Sequence, residues 1–150
     1  MPIRLLLLSL LLFAFAAPSP ALAAAPEQWE AVSTTALSIT GNVRFSSDRI
    51  AFQNGKSVPL APAGTVPAFG TPTGTANATL YRVTKPDNPA LLRGNRLCGG
   101  PITFIAVWKP APVASDIDPR EMAVFSGSAR PTLAGGPDFC GTYYYEAGRR

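Results

Sequence analysis

Three carboxylates crowd one short stretch of the chain, Asp116, Asp118 and Glu121. Paired Asp or Glu side chains roughly 5–10 Å apart are the working groups of glycoside hydrolases, so this stretch could act on a polysaccharide. It lacks the ligand spacing of a calcium loop, and Asp118-Pro119 equally starts a solvated bend. Histidine is absent from all 150 residues. That removes the usual general base at neutral pH, and with it Ser-His-Asp and Cys-His nucleophile systems. The chain also has no Gly-x-Ser-x-Gly elbow and no glycine-rich phosphate loop followed by Lys-Ser/Thr. No catalytic residue is assigned, and the sequence points away from an enzyme.

Cys98 and Cys140 are the only cysteines. Two sulfurs without histidine are too few ligands for zinc, and no other metal or cofactor is expected. The pair instead predicts a disulfide, whose loop closure stabilises the fold by roughly 3.5–4.5 kcal/mol in the chain-entropy picture. Tyr143-Tyr144-Tyr145 is the other conspicuous group. On a strand, Tyr143 and Tyr145 share one face and Tyr144 takes the other. Their rings suit either a partner contact or the wall of a barrel. Arg93 and Arg96 flank Gly94-Asn95 and are candidate contacts for an anionic partner, or simply a solvated turn.

Disulfides belong to oxidising compartments, and the N-terminus supplies the route to one. Met1–Arg4 carries one positive charge, Leu5–Ala17 is apolar except for Ser9, Pro18-Ser-Pro20 breaks any helix, and Ala21-Leu22-Ala23 is a small-x-small cleavage pattern. This is the layout of a secretory signal peptide spanning residues 1–23. The apolar run is shorter than the roughly 20 residues a membrane span needs, so the mature form is expected to have no transmembrane segment. Residues 24–150 then form one domain, expected to be periplasmic or secreted. Losing Arg4 leaves 12 Lys and Arg against 9 Asp and Glu, a net +3. The cations are scattered singly apart from Arg149-Arg150, whereas nucleic acid calls for a clustered stripe. No nucleic-acid partner is expected.

The elements that must position these residues read as strands. Leu37 and Ile39 alternate with Ala36, Ser38 and Thr40, which predicts a strand ended by Gly41-Asn42. A turn of helix is the reading for Pro26–Val32, with Trp29 as a core anchor. Val43–Phe45, Arg49–Gln53 and Lys56–Leu60 follow. Asn54-Gly55 between the last two is a strong hairpin signal of the type I′ kind. Pro59 cannot donate to a ladder, which places it at an edge or with its nitrogen facing away from one. Residues 61–77 interleave Pro62, Pro67 and Pro72 with Gly64, Gly70 and Gly74, and read as a long loop. Ile102–Trp108 is apolar on both faces and predicts a strand buried on both. Ala78–Val83, Met122–Phe125 and Phe139–Glu146 complete about eight short strands. The expectation is an all-β domain, a small antiparallel barrel or sandwich with one disulfide.

Asn95-Arg-Leu-Cys-Gly99 with Pro101–Ile105, Ala123–Gly127 and Cys140–Tyr144 resemble the C-terminal half of a set of small exported bacterial proteins without an assigned function. In architecture alone, the chain is similar to the periplasmic barrels that inhibit lysozymes or proteases. That resemblance implies a fold and carries no inhibitory residue with it. The leading reading is a non-catalytic binding module of the bacterial envelope, with enzyme inhibition as one form of it. Its partner would be an unknown protein or small ligand of the envelope. A lipocalin-like carrier of a small apolar ligand and a carboxylate-dependent hydrolase of envelope polysaccharide are the alternatives.

Overall fold

Alternating residues carry the chain through eight strands: β1 (Glu27–Ala31), β2 (Val43–Ser46), β3 (Arg49–Ala51), β4 (Ser57–Thr71), β5 (Gly74–Asp87), β6 (Ile102–Trp108), β7 (Pro119–Phe125) and β8 (Phe139–Ala147). The computed structural model describes Ala17 and residues 25–148. The expected leader, apart from Ala17, and Arg149-Arg150 lie outside the described residues. Each strand pairs antiparallel with the next, and β8 returns to β1 through Trp29–Ala147, Glu30–Glu146 and Ala31–Tyr145. The sheet therefore closes into a barrel rather than splitting into a sandwich.

Strand alternation sends every second side chain inward. Trp29, Phe45, Ile50, Leu60, Ile105, Met122 and Tyr145 pack there as one buried cluster. Trp29 stacks on Phe45 with centroids 4.4 Å apart and tilts against Tyr145 at 5.6 Å. The barrel centre is thus filled by large rings and branched chains, as expected for so small a strand number. One end is plugged. A one-turn π-helix, Ala36–Thr40, closes it together with Leu91, Leu97 and the Cys98–Cys140 disulfide. Thr40 Oγ1 lies 2.8 Å from the Tyr145 hydroxyl, and the Asn95 side chain donates to Ser38 O, tying the plug to the barrel and to the loop before β6.

A second core lies outside the barrel wall. The outward residues Leu80, Phe104, Ala106, Trp108 and Phe125 are buried beneath Phe69 and the chain between β7 and β8. Phe69 is fully buried against Trp108, ring centroids 5.4 Å apart. The connecting chain is pinned by Gly70 N–H donating to Thr132 O and Ala134 N–H donating to Gly70 O. A Cβ on Gly70 would stand 2.7 Å from Leu133 Cβ, so only glycine allows this approach. The two-sided burial expected of Ile102–Trp108 follows from these two cores.

Four local expectations are corrected. Residues 61–77 are not a loop: they form the outer half of the β4–β5 hairpin, paired from Thr65–Thr79 to Thr71–Gly74. Pro62 and Pro67 are tolerated because the register shifts between Pro62 and Thr65 and between Val66 and Phe69, where bulges already interrupt the ladder, and Pro72 sits in the turn between β4 and β5. Ala36–Thr40 is helical rather than a strand, because burying Ala36 and Thr40 in the plug outweighs the alternation. Pro26–Val32 holds strand β1, not a helical turn, though Trp29 is the core anchor expected, 1% exposed. The Asn54-Gly55 hairpin forms, with Ile50 opposite Val58. Its turn is longer than type I′: Phe52 N–H donates to Lys56 O, and of the two turn residues only Gly55 has positive φ. Pro59 sits opposite Arg49, one step from Leu60 N–H donating to Asp48 O, so its nitrogen faces away from β3. On that side the β4–β5 ladder ends at Leu60–Val83, and no donor is lost.

Candidate functional site

Opposite the plug, the barrel end is open. Inward positions on β1, β2, β5, β6 and β7 bring Glu27, Phe45, Thr79, Tyr81, Val107 and Arg120 around a cavity of about 590 Å³. Thr75, Asn77 and Lys109 extend its lip. Phe45 meets Tyr81 edge to face at 5.1 Å, so the floor is an aromatic corner continuous with Trp29. A neighbouring hollow shares Glu27, Lys109 and Arg120, and adds Asp118.

Arg120 is the centre of this end. It shares the inner face of β7 with Met122 and Val124, and is only 5% exposed. Its Nε donates to Glu27 Oε2 at 3.1 Å, Nη1 to Asp118 Oδ1 at 2.5 Å and to Pro119 O at 3.0 Å, and Nη2 to Asp118 Oδ2 at 3.1 Å and to Glu27 Oε1 at 3.5 Å. These partners use all five guanidinium N–H groups. Trp29 Nε1 also donates to Glu27 Oε2 at 2.7 Å, and Lys109 Nζ stands 3.2 Å from Asp118 Oδ1. Burial pushes the Glu27 carboxyl up, but the Trp29 N–H and Arg120 outweigh it and hold the group below its ordinary value. Asp118 is held low chiefly by its hydrogen bond to Arg120. Burial disfavours the charged Arg120, yet its bonds to Asp118 and Glu27 raise its pKa further. Glu27 and Asp118 balance Arg120 and Lys109, so the four groups carry no net charge. Burial, with the nearby Glu27 charge, raises the Tyr81 phenol, which stays neutral and makes no hydrogen bond among the described residues.

Compared with known proteins, the chain matches no family model, no curated protein and no solved structure. The site is therefore read from its own geometry.

The residues singled out from sequence are not brought together here. Tyr143 and Tyr145 point into the barrel, 2% and 0% exposed, so neither ring offers surface to a partner; they are wall and core. Burial pushes the Tyr143 phenol up to about 12 and raises Tyr145 as well. Arg93 and Arg96 are exposed at the plugged end, where Arg96 donates to Asn88 O. Of the acidic stretch, Asp118 joins the Arg120 cluster, while Glu121 lies on the other face of β7 beside Trp108. Adjacent strand positions diverge, so these two do not form a facing carboxylate pair. Glu27 and Arg120, 93 residues apart, were not candidates. A signal was present in each strand: Glu27 shares alternation with Trp29, and Arg120 with Met122 and Val124. A charge in phase with buried apolar residues asks for a buried partner.

Proposed function

We propose that the chain is an exported, non-catalytic binding module of the bacterial envelope, which receives its partner at the open end of the barrel. The observation that carries this reading is the asymmetry of the two ends. One is sealed by the Ala36–Thr40 turn and the disulfide-tied loop, while the other keeps a cavity of about 590 Å³. Its walls are held in place by the saturated Arg120 cluster and by stacked rings, so little ordering is left for binding to cost. The leader pattern in the sequence supports export, and the Cys98–Cys140 bridge suits an oxidising compartment. An enzyme inhibitor would insert part of its target, or be inserted, at this end. A carrier would also have to use it, because Trp29, Phe45 and Ile105 occupy the centre.

Immobilised protein and its Thr79→Arg variant, which fills the mouth from a half-exposed position, are compared for capture of envelope components. The reading expects a component that is held by the parent protein, rebinds when purified and is lost with Thr79→Arg. Equal capture by both proteins, or no component that rebinds, overturns it.

A further inference from the structure

The open end has a chemistry more specific than a generic cavity. Its charges cancel: Arg120 is saturated, Lys109 is paired with Asp118, and Glu27 is paired with Arg120. The Arg120 guanidinium is spent, the exposed Lys109 ammonium is balanced by Asp118, and Glu27 and Asp118 each already face a cation, so no net charge favours an anionic or a cationic ligand. What the mouth still offers is neutral or one-sided. Tyr81 presents a protonated hydroxyl that has no partner among the described residues, in the same lining as the ionised Glu27. The Glu27 side chain is 45% exposed, and its carboxylate, which takes three donors from Trp29 and Arg120, has capacity to accept about one more. Thr75, Asn77 and Thr79 add hydroxyl and amide groups along the lip, and the Tyr81–Phe45 corner adds an apolar floor. A ligand that satisfies all of these has adjacent hydroxyl or amide groups along one edge, C–H groups on one face, and no net charge.

We propose that the mouth binds a neutral sugar ring, the hydroxyl- or acetamido-bearing end of an envelope glycan. One sugar edge bridges the Glu27 carboxylate and the Tyr81 hydroxyl, while its C–H face lies on the aromatic corner. This assignment rests on the open end being the binding site, as proposed above. The barrel is closed, so the mouth offers side-chain groups around a pocket rather than an unpaired strand edge for an extended peptide, and such groups suit separate hydroxyls.

The test is a titration of the full chain, produced with its own leader, followed by amide NMR shifts. The probes are N,N′-diacetylchitobiose, maltose, glucosamine, glucuronate and a neutral tripeptide amide. The expected result is saturable shifts at Thr79, Tyr81 and Val107 with at least one neutral saccharide and none with the charged sugars. Tyr81→Phe, which keeps the ring and removes only the hydroxyl, should weaken that affinity roughly three- to tenfold. Lys85→Ala, exposed on β5 away from the mouth, should leave it unchanged. The proposal is overturned if neither saccharide shifts these residues, if Tyr81→Phe binds as well as the parent protein, or if a charged sugar or the peptide binds more tightly. Should the saccharides fail while Thr79→Arg still abolishes envelope capture, the glycan assignment alone is lost. If that capture is also indifferent to Thr79→Arg, the binding site itself is lost.

Discussion

Replacing Arg120 with methionine tests whether the cluster at the open end braces the barrel. The substitution keeps an unbranched chain of similar length and removes all five charge-assisted hydrogen bonds. Breaking a fully buried pair by deleting one partner costs about 3–5 kcal/mol, because the other charge is stranded. Exposed pairs are worth about 0.2–1 kcal/mol. Here the Arg120 side chain is 6% exposed, but Glu27 and Asp118 are 45% and 52% exposed and can turn to water. The cost should fall between the limits, about 2 kcal/mol, or a drop of roughly 6–10 °C in Tm for a domain of this size. Lys109→Met removes only an exposed pair and should cost about 0.5 kcal/mol or less. Urea unfolding with the disulfide intact measures both. The pH dependence supplies a second readout. Glu27 and Asp118 have folded pKa values below their ordinary 4.5 and 3.8. In acid the unfolded state therefore takes up protons first, and the stabilisation present above about pH 4.5 is lost as the pH falls through the folded values. Arg120→Met should flatten that acid loss. If the variant is as stable as the parent protein, or loses stability in acid just as steeply, the bracing role is refuted.

Phe69→Ala should destabilise by about 3–5 kcal/mol, since a fully buried ring is deleted from the outer core; a loss below about 1 kcal/mol in urea unfolding would show that this core contributes little. Alkaline titration tests the barrel interior. Tyr143 and Tyr145 have raised folded pKa values, so the stability their neutral phenols contribute is present below pH 10 and lost as the pH rises beyond it. Phenolate absorbance from these two should appear together with cooperative unfolding above pH 10, and all four tyrosines ionising near pH 10 in an intact barrel would contradict their burial.

Features of the fold that depend on neighbours in sequence were legible there. Val43 and Phe45 alternate with Arg44 and Ile102–Trp108 is apolar on both faces, and both behave as their local pattern implies; Asn54-Gly55 joins two strands as a hairpin, though through a longer turn than type I′. The misreadings share a cause. Ala36–Thr40 alternates like a strand but is recruited as a plug, and the Pro- and Gly-rich residues 61–77 look unstructured but are held as a hairpin from outside. In both places a distant segment, not the local pattern, decides the conformation. The candidate site was less legible still. Tyr143 and Tyr145 were visible as unusual residues, yet whether such rings face a partner or a core depends on which side of the sheet is closed.

By itself the sequence determined the class of the molecule: strands of alternating polarity, two cysteines able to pair, and no histidine for the common nucleophile systems. Those properties follow from residue type and spacing of two. Only the tertiary structure decided that the sheet closes, that one end is plugged and the other open, and that Glu27 meets Arg120 across 93 residues. The physical reason is that burial belongs to a closed surface rather than to a strand. An inward charge such as Arg120 becomes acceptable only where the barrel ends, and only once β1 and the chain leading into β7 have brought Glu27 and Asp118 to meet it.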